Sequence, residues 1–254
     1  MPDAPKDPLG WQIFHRILVL VMGRAARKIL LNRVFLMADG SETRWLQPDI
    51  DAFLTALRPE LDALRPVADL DSLPTRGNRI MVELAILTIA GYRVLCRLGI
   101  TPSDARAAIA DTGWNIYAGQ LRLASLPFRL TTSDSGLRVQ RTIRLLLRFP
   151  FSAPGAPGYA VKTWVKDGDI HTHFTHCPPQ SFVRNLIAQQ GDEGELQAFS
   201  DSWCQYDWPG ADIIAGDGQR GHYARRRTLS RGDKVCDMCW AARPTRDGPA
   251  QNTR

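Results

Sequence analysis

Apolar positions recur at helical spacing from the start of the readable pattern. Ile13, Phe14, Ile17, Leu18 and Val21 repeat three or four apart, with Arg16, Arg24, Arg27, Lys28 and Arg33 between them, which predicts a basic amphipathic helix over 11–37. A second helix is expected over Pro48–Leu64, closed by Pro66. Asn78–Gly99 is apolar nearly all round, the mark of a central core helix, and Gly99 is its stop. Thr101-Pro102-Ser103-Asp104 restarts a helix with a cap and an N-terminal proline; it should reach about Thr112, with more helix toward Leu126. Ser133 or Asp134 caps another segment, ending near Phe149, that carries Arg138, Arg141, Arg144 and Arg148 as one stripe.

The pattern then breaks. Pro150–Gly158 holds three prolines and two glycines, which forbid regular structure. Beyond it the period shortens to two. Tyr159–Val165 and Ile170–Thr175 read as strands joined by an Asp167-Gly168 hairpin turn, and Pro178-Pro179 ends the second strand. Helical patterns cover 181–190 and 193–206. Tyr223–Leu229 and Val235–Trp240 form a second strand pair turning through Ser230–Asp233. Helices followed by strands predict an α+β fold, with an N-terminal helical layer, residues 11–149, packed on a small C-terminal antiparallel sheet. Residues 159–243 should share one core with 11–149, because so few strand residues cannot cover their own sheet. Residues 1–10 and 244–254 are expected to be flexible.

Composition narrows the picture only a little. Of 254 residues, 44% are hydrophobic and 23% charged, which excludes a disordered or fibrous chain. The net charge of +6 admits nucleic acid, anionic lipid or an acidic small molecule as partner. No nucleic-acid fold signature accompanies the arginine stripe, so nucleic acid is not expected and the stripe reads as a solvated face. Helix 11–37 is either docked with a solvated basic face or in peripheral contact with a membrane. No transmembrane span is expected, since Ile80–Ile100 is interrupted by Glu83, Arg93 and Arg97. The N-terminus has no secretory pattern, which points to a cytoplasmic protein with reduced thiols.

The chemistry gathers late in the chain. His171, His173, His176, Cys177, Cys204, His222, Cys236 and Cys239 all lie after the proline-rich break, whereas Cys96 in the core helix reads as a small buried hydrophobe. In an extended Ile170–Cys177, His171, His173 and Cys177 share one face and Thr172, Phe174 and His176 the other. Cys236, Met238 and Trp240 share a face of the last strand, with Asp237 and Cys239 opposite, so Cys236 and Cys239 cannot hold one zinc ion between them. Asp207 continues the Leu196–Phe199–Trp203 stripe, and a carboxylate aimed along a buried face needs a reason. Arg225 and Arg227 are expected on one strand face, suited to gripping a substrate carboxylate.

Three segments carry a resemblance: Thr175-His176-Cys177-Pro178, Trp203-Cys204-Gln205-Tyr206-Asp207, and Arg225-Arg226-Arg227-Thr228-Leu229-Ser230-Arg231-Gly232-Asp233-Lys234-Val235-Cys236-Asp237-Met238. In order and spacing, over about 159–240, they resemble the L-2-amino-thiazoline-4-carboxylic acid hydrolase family. The stretch from Val82 to Ile100 is similar to that family's central helix. Met238 stands where the family pattern has an aromatic residue, and Cys239, His171 and His173 lie outside the pattern. The resemblance implies a hydrolase acting on a C–N bond of a small carboxylate-bearing cyclic amidine, opening a thiazoline ring with water to give a carbamoyl-cysteine. It implies catalytic Cys177, His176, Asp207, Cys204 and Cys236, with Arg225, Arg227 and Thr228 binding the substrate. Two mechanisms fit: Cys177 attacks as a thiolate while His176 or Asp207 moves protons, or Cys177, Cys204, Cys236, Asp207 and His173 hold zinc or another divalent metal that activates water. A competing reading is a non-catalytic small-molecule-binding domain of the vinyl-reductase type, taking a hydrophobic or tetrapyrrole-like ligand; a third, less favoured, is a nucleic-acid-binding protein using the arginine stripe.

Overall fold

The structure, a computed structural model, describes residues 9–244. Nearly all of the two ends expected to be flexible, 1–8 and 245–254, lies outside the described residues. The fold is α+β.

Helix α1 spans Leu9–Leu30, and Asn32 then takes a left-handed φ of 63°. The expected continuation to Met37 is instead a small hairpin of β1 (Val34–Leu36) and β2 (Glu42–Arg44). Tertiary packing overrides the helical pattern here: Phe35 is fully buried against Trp45, ring centres 4.9 Å apart, while Val34 and Leu36 face out. Within α1, Leu18 and Met22 are buried, but Ile13, Ile17 and Leu20 are 48%, 54% and 62% exposed. The first two were expected on the docked side.

Helix α2 (Gln47–Ala68) runs through both Pro59 and Pro66. It ends at Ala68 rather than at Leu64, and Asp69 then turns left-handed at φ 44°. Helix α3 (Arg76–Arg97), capped by Thr75 accepting from the Asn78 amide, is buried on almost every side and forms the centre of the core. Helix α4 is one continuous element, Pro102–Thr131, and α5 (Ser135–Arg148) is capped by Asp134. Arg138 does not join the exposed stripe. Its guanidinium donates to the Ala215 and Ser133 carbonyls, at 2.7 and 2.6 Å, while Arg141, Arg144 and Arg148 are exposed.

The proline-rich segment is irregular, as expected, but anchored. The Asn78 amide donates to the Ser152 carbonyl (3.1 Å), and Phe151 packs edge-on against Tyr159. The larger of two hydrophobic clusters contains Leu18 of α1, most of α3, and Phe174, Phe199 and Cys236 from beyond the break; the smaller joins Leu121, Val139 and Ile143 to Ile170 and Ile214.

Strands β3 (Ala160–Lys166) and β4 (Asp169–His176) turn through Asp167 and Gly168, both at positive φ, the two-residue turn that suits the strand twist. With β5 (Tyr223–Arg225) and β6 (Cys236–Trp240) they form an antiparallel sheet in the order β3-β4-β6-β5. Strand β5 is shorter than expected, and the anticipated tight turn is a wider loop holding a 3-10 turn, Leu229–Arg231. Pro178 and Pro179 open a helix as well as ending the strand: α6 is Pro178–Gln190, where prolines at the first positions lack only N–H groups that no helix would use. The expected helix 193–206 is α7 (Glu195–Ser202) followed by a turn, and α8 (Asp207–Ala215) begins at Asp207. Among the described residues, no helix is long and apolar enough to cross a membrane.

Candidate functional site

A cavity of about 110 Å³ lies where α3, α4 and α5 meet the inner face of the sheet and helices α6–α8. Its wall is almost wholly apolar and aromatic, with Tyr117, Phe174, Trp203 and Trp240 among the lining residues. Cys177, Cys204, Cys236, Asp207 and Arg225 interrupt that wall. Cys177, Cys204 and Cys236, 27 and 32 residues apart in sequence, therefore line one cavity.

Local structure explains the convergence. Strand β4 alternates as expected through Phe174, with Ile170, Thr172 and Phe174 buried and His171 and His173 facing outward. A bulge opposite Ala160–Val161 then makes Ala160 pair with His176 and Val161 with Phe174. One extra residue reverses the alternation, so Cys177 reaches the cavity side rather than the His171 side. That corrects the expected grouping of His171, His173 and Cys177. On β6, Cys236, Met238 and Trp240 line the cavity and Cys239 does not, as strand periodicity predicts.

The loop between β5 and β6 seats Cys236. The Asp233 carboxylate accepts from the Thr228 amide at 2.8 Å, Gly232 turns left-handed at φ 90°, and the Leu229 amide donates to the Cys236 Sγ at 3.2 Å. The Thr228 hydroxyl also touches that sulfur, at 3.4 Å. Thr228 thus holds Cys236 and does not itself line the cavity. Arg227 lies beyond the end of β5, is 54% exposed, and pairs with Asp237 at 3.0 Å. Its expected place beside Arg225 is corrected, because β5 stops at Arg225.

Arg225 is buried, its side chain 4% exposed. It donates to the Cys204 carbonyl at 2.5 Å and to Asp207 Oδ2 at 3.3 Å, and lies over the Trp208 ring at 4.7 Å. The Tyr223 hydroxyl donates to the same Asp207 oxygen at 3.1 Å. Burial raises the Asp207 carboxyl to about 6, although Arg225 and Tyr223 both favour its charged form. Burial also raises the thiols: Cys177 stands well above the ordinary thiol value, Cys204 is at about 11, and Cys236 is raised. These sulfurs are therefore neutral thiols at neutral pH.

His176 is placed elsewhere. Its Nδ1 bonds the Gly158 carbonyl at 2.6 Å and its Nε2 the Ser181 hydroxyl at 3.0 Å, so both ring nitrogens are occupied in tying β4 to its neighbours. His173 packs edge-on against Trp164 on the outer face. The expected metal set does not assemble. Among the described residues, the one trio of His, Cys or acidic side chains whose ligand atoms lie within 4.8 Å of one another is Asp169, His171 and Cys239, on the outer face. No three of Cys177, Cys204, Cys236, Asp207 and His173 meet that condition, so these residues do not fit a metal ion as expected.

Sequence reasoning placed Trp240 on the Cys236 face but did not single out Tyr117, which also lines the cavity. Any side chain at Gly113 would collide with the Tyr206 hydroxyl, which bonds the Ala110 carbonyl at 2.7 Å.

No protein-family model, curated protein or solved structure matches this chain.

Proposed function

We propose that the cavity binds a small ring compound bearing a carboxylate and opens a cyclic amidine by adding water, with Asp207 as general base. One observation carries this reading: a single carboxylate, poised near neutrality by burial and beside Arg225, faces a largely apolar cavity of ring size. The volume is on the scale of the cavities of about 150 Å³ that hold a benzene ring, and far below what a tetrapyrrole needs. That favours the ring substrate over the vinyl-reductase-type alternative.

In the reaction, Asp207 takes a proton from water as the water oxygen adds to the amidine carbon, and returns it to the ring nitrogen. It then takes the new hydroxyl proton and passes it to the departing ring sulfur. A carbamoyl-cysteine product keeps both nitrogens on the former amidine carbon. Atom balance therefore places the break at the carbon–sulfur bond and corrects the C–N cleavage expected from sequence. Arg225, the one cation among the lining residues, receives the substrate carboxylate. The neutral thiols of Cys177, Cys204 and Cys236 shape the wall and do not attack. His176, Arg227 and Thr228 act as structural residues in this reading.

Asp207→Asn tests it with 2-aminothiazoline-4-carboxylate as substrate. The variant should fold normally and lose at least about a hundredfold in ring opening. In the wild type, kcat/KM should rise with pH through about 6 and level off above it, because the base works only when ionised. Undiminished turnover by the variant would sink the mechanism.

The contact surface of α1 supports a second, separate reading. Ile13, Ile17 and Leu20 form an exposed apolar row flanked by exposed Arg16, Arg24 and Lys28, and α1 contains no Asp or Glu. Charge complementarity selects an anionic lipid surface as its partner, approached peripherally.

A further inference from the structure

We propose that the outer face of the sheet carries a divalent-metal site of the zinc type, built from Asp169, His171 and Cys239. It lies on the side of β4 and β6 away from the cavity and is independent of the reaction proposed there.

The sheet register assembles it. His171 on β4 stands directly opposite Cys239 on β6, and Asp169 is two residues from His171 on the same face. The Asp169 Oδ2 lies 3.8 Å from the Cys239 Sγ. All three ligand atoms fall within 4.8 Å of one another, and all three residues are half-buried. Small rotamer changes bring such atoms to the roughly 2.0–2.3 Å bonds that zinc makes with oxygen, nitrogen and sulfur.

The surroundings hold the ligands in place. Asp169 Oδ1 accepts from the Ala242 amide at 2.8 Å, which fixes the carboxylate and leaves Oδ2 for the ion. The His171 ring stacks on Trp164, the residue paired with it on β3, at 5.2 Å and 8° between planes. Outer partners of this kind set the orientation of a ligating imidazole. On the other side Cys239 pairs with Ala224 of β5, the smallest side chain in that row, so the fourth position of the ion is not filled by protein. One thiolate, one imidazole and one carboxylate form a mixed soft and borderline set that suits zinc better than magnesium or calcium. Binding displaces the Cys239 thiol proton to solvent, so charge balances without any redox partner.

The test uses the full chain, freed of metal with a chelator and titrated with zinc chloride, while cysteine alkylation is mapped by peptide mass. One equivalent of zinc should bind and protect Cys239, leaving the alkylation of Cys177, Cys204 and Cys236 unchanged. His171→Ala and Cys239→Ser should each weaken binding at least about tenfold and leave ring opening unaltered. Circular dichroism verifies that each variant is folded; because they alter different strands, either one alone decides the matter. The proposal fails if zinc is not taken up, if it protects a cavity cysteine instead, or if either folded variant binds as tightly as the wild type.

Discussion

Asp207 gives up its proton more reluctantly than it would in an unfolded chain, with consequences for stability as well as for catalysis. Its folded value of about 6 stands above the ordinary 3.8 because burial penalises the charged form more than Arg225 and Tyr223 favour it. Below pH 3.8 both states hold the proton and the stabilising contribution is fully present. As pH rises the unfolded chain releases the proton first, and the contribution is gone above about 6. The difference amounts to at most about 3 kcal/mol. Asp207→Asn cannot ionise, and its side-chain oxygen still accepts from Tyr223 and Arg225. The variant should therefore gain stability relative to wild type between pH 4 and pH 8, as chemical denaturation at the two pH values would show. A constant difference between the two proteins would mean that Asp207 is not desolvated in solution.

At the scale of elements, the helix and strand types were legible from period and punctuation, but their ends were not. The Asp167-Gly168 turn, the Thr101–Asp104 restart and the split of Cys236 from Cys239 across β6 follow from local rules and stand in the structure. The side taken by Cys177 does not, because one bulged residue in β4 reverses the alternation, and nothing between Ile170 and Cys177 marks it. The end of α1 was hidden for a related reason. Val34, Phe35 and Leu36 satisfy helical spacing, and only the burial of Phe35 against Trp45 chooses the strand. Ile13, Ile17 and Leu20 stand as a short outward row on the first half of α1. Replacing Ile17 and Leu20 together with Asp should abolish sedimentation of the chain with phosphatidylglycerol vesicles while leaving ring opening intact. Equal vesicle binding by this variant would rule out α1 as the lipid contact.

For the whole molecule, the proline-rich stretch marks a change of secondary structure and not a division of the core. Phe151 inside it and Tyr159 just after it both line the cavity, which also takes Met81 from α3 and Trp240 from the last strand. The candidate site was legible as a set of residues, since Cys177, Cys204, Asp207, Arg225 and Cys236 do meet. It was not legible as chemistry, because the burial that neutralises the thiols arises from packing partners distant in the chain.

That assembly makes the cavity a property of the complete fold. Its walls come from α3 as well as from β6, so a chain lacking either presents no enclosed pocket to a ligand. A compound that fits can then recognise only the native state, and all of its affinity is converted into resistance to unfolding. At a hundred times its dissociation constant it should add about 2.7 kcal/mol, with a rise in Tm that grows logarithmically with concentration. A thermal-shift screen of small ring carboxylates would thus rank candidate substrates before any reaction is assayed. Compounds that leave Tm unmoved at millimolar concentration are excluded as occupants of the cavity.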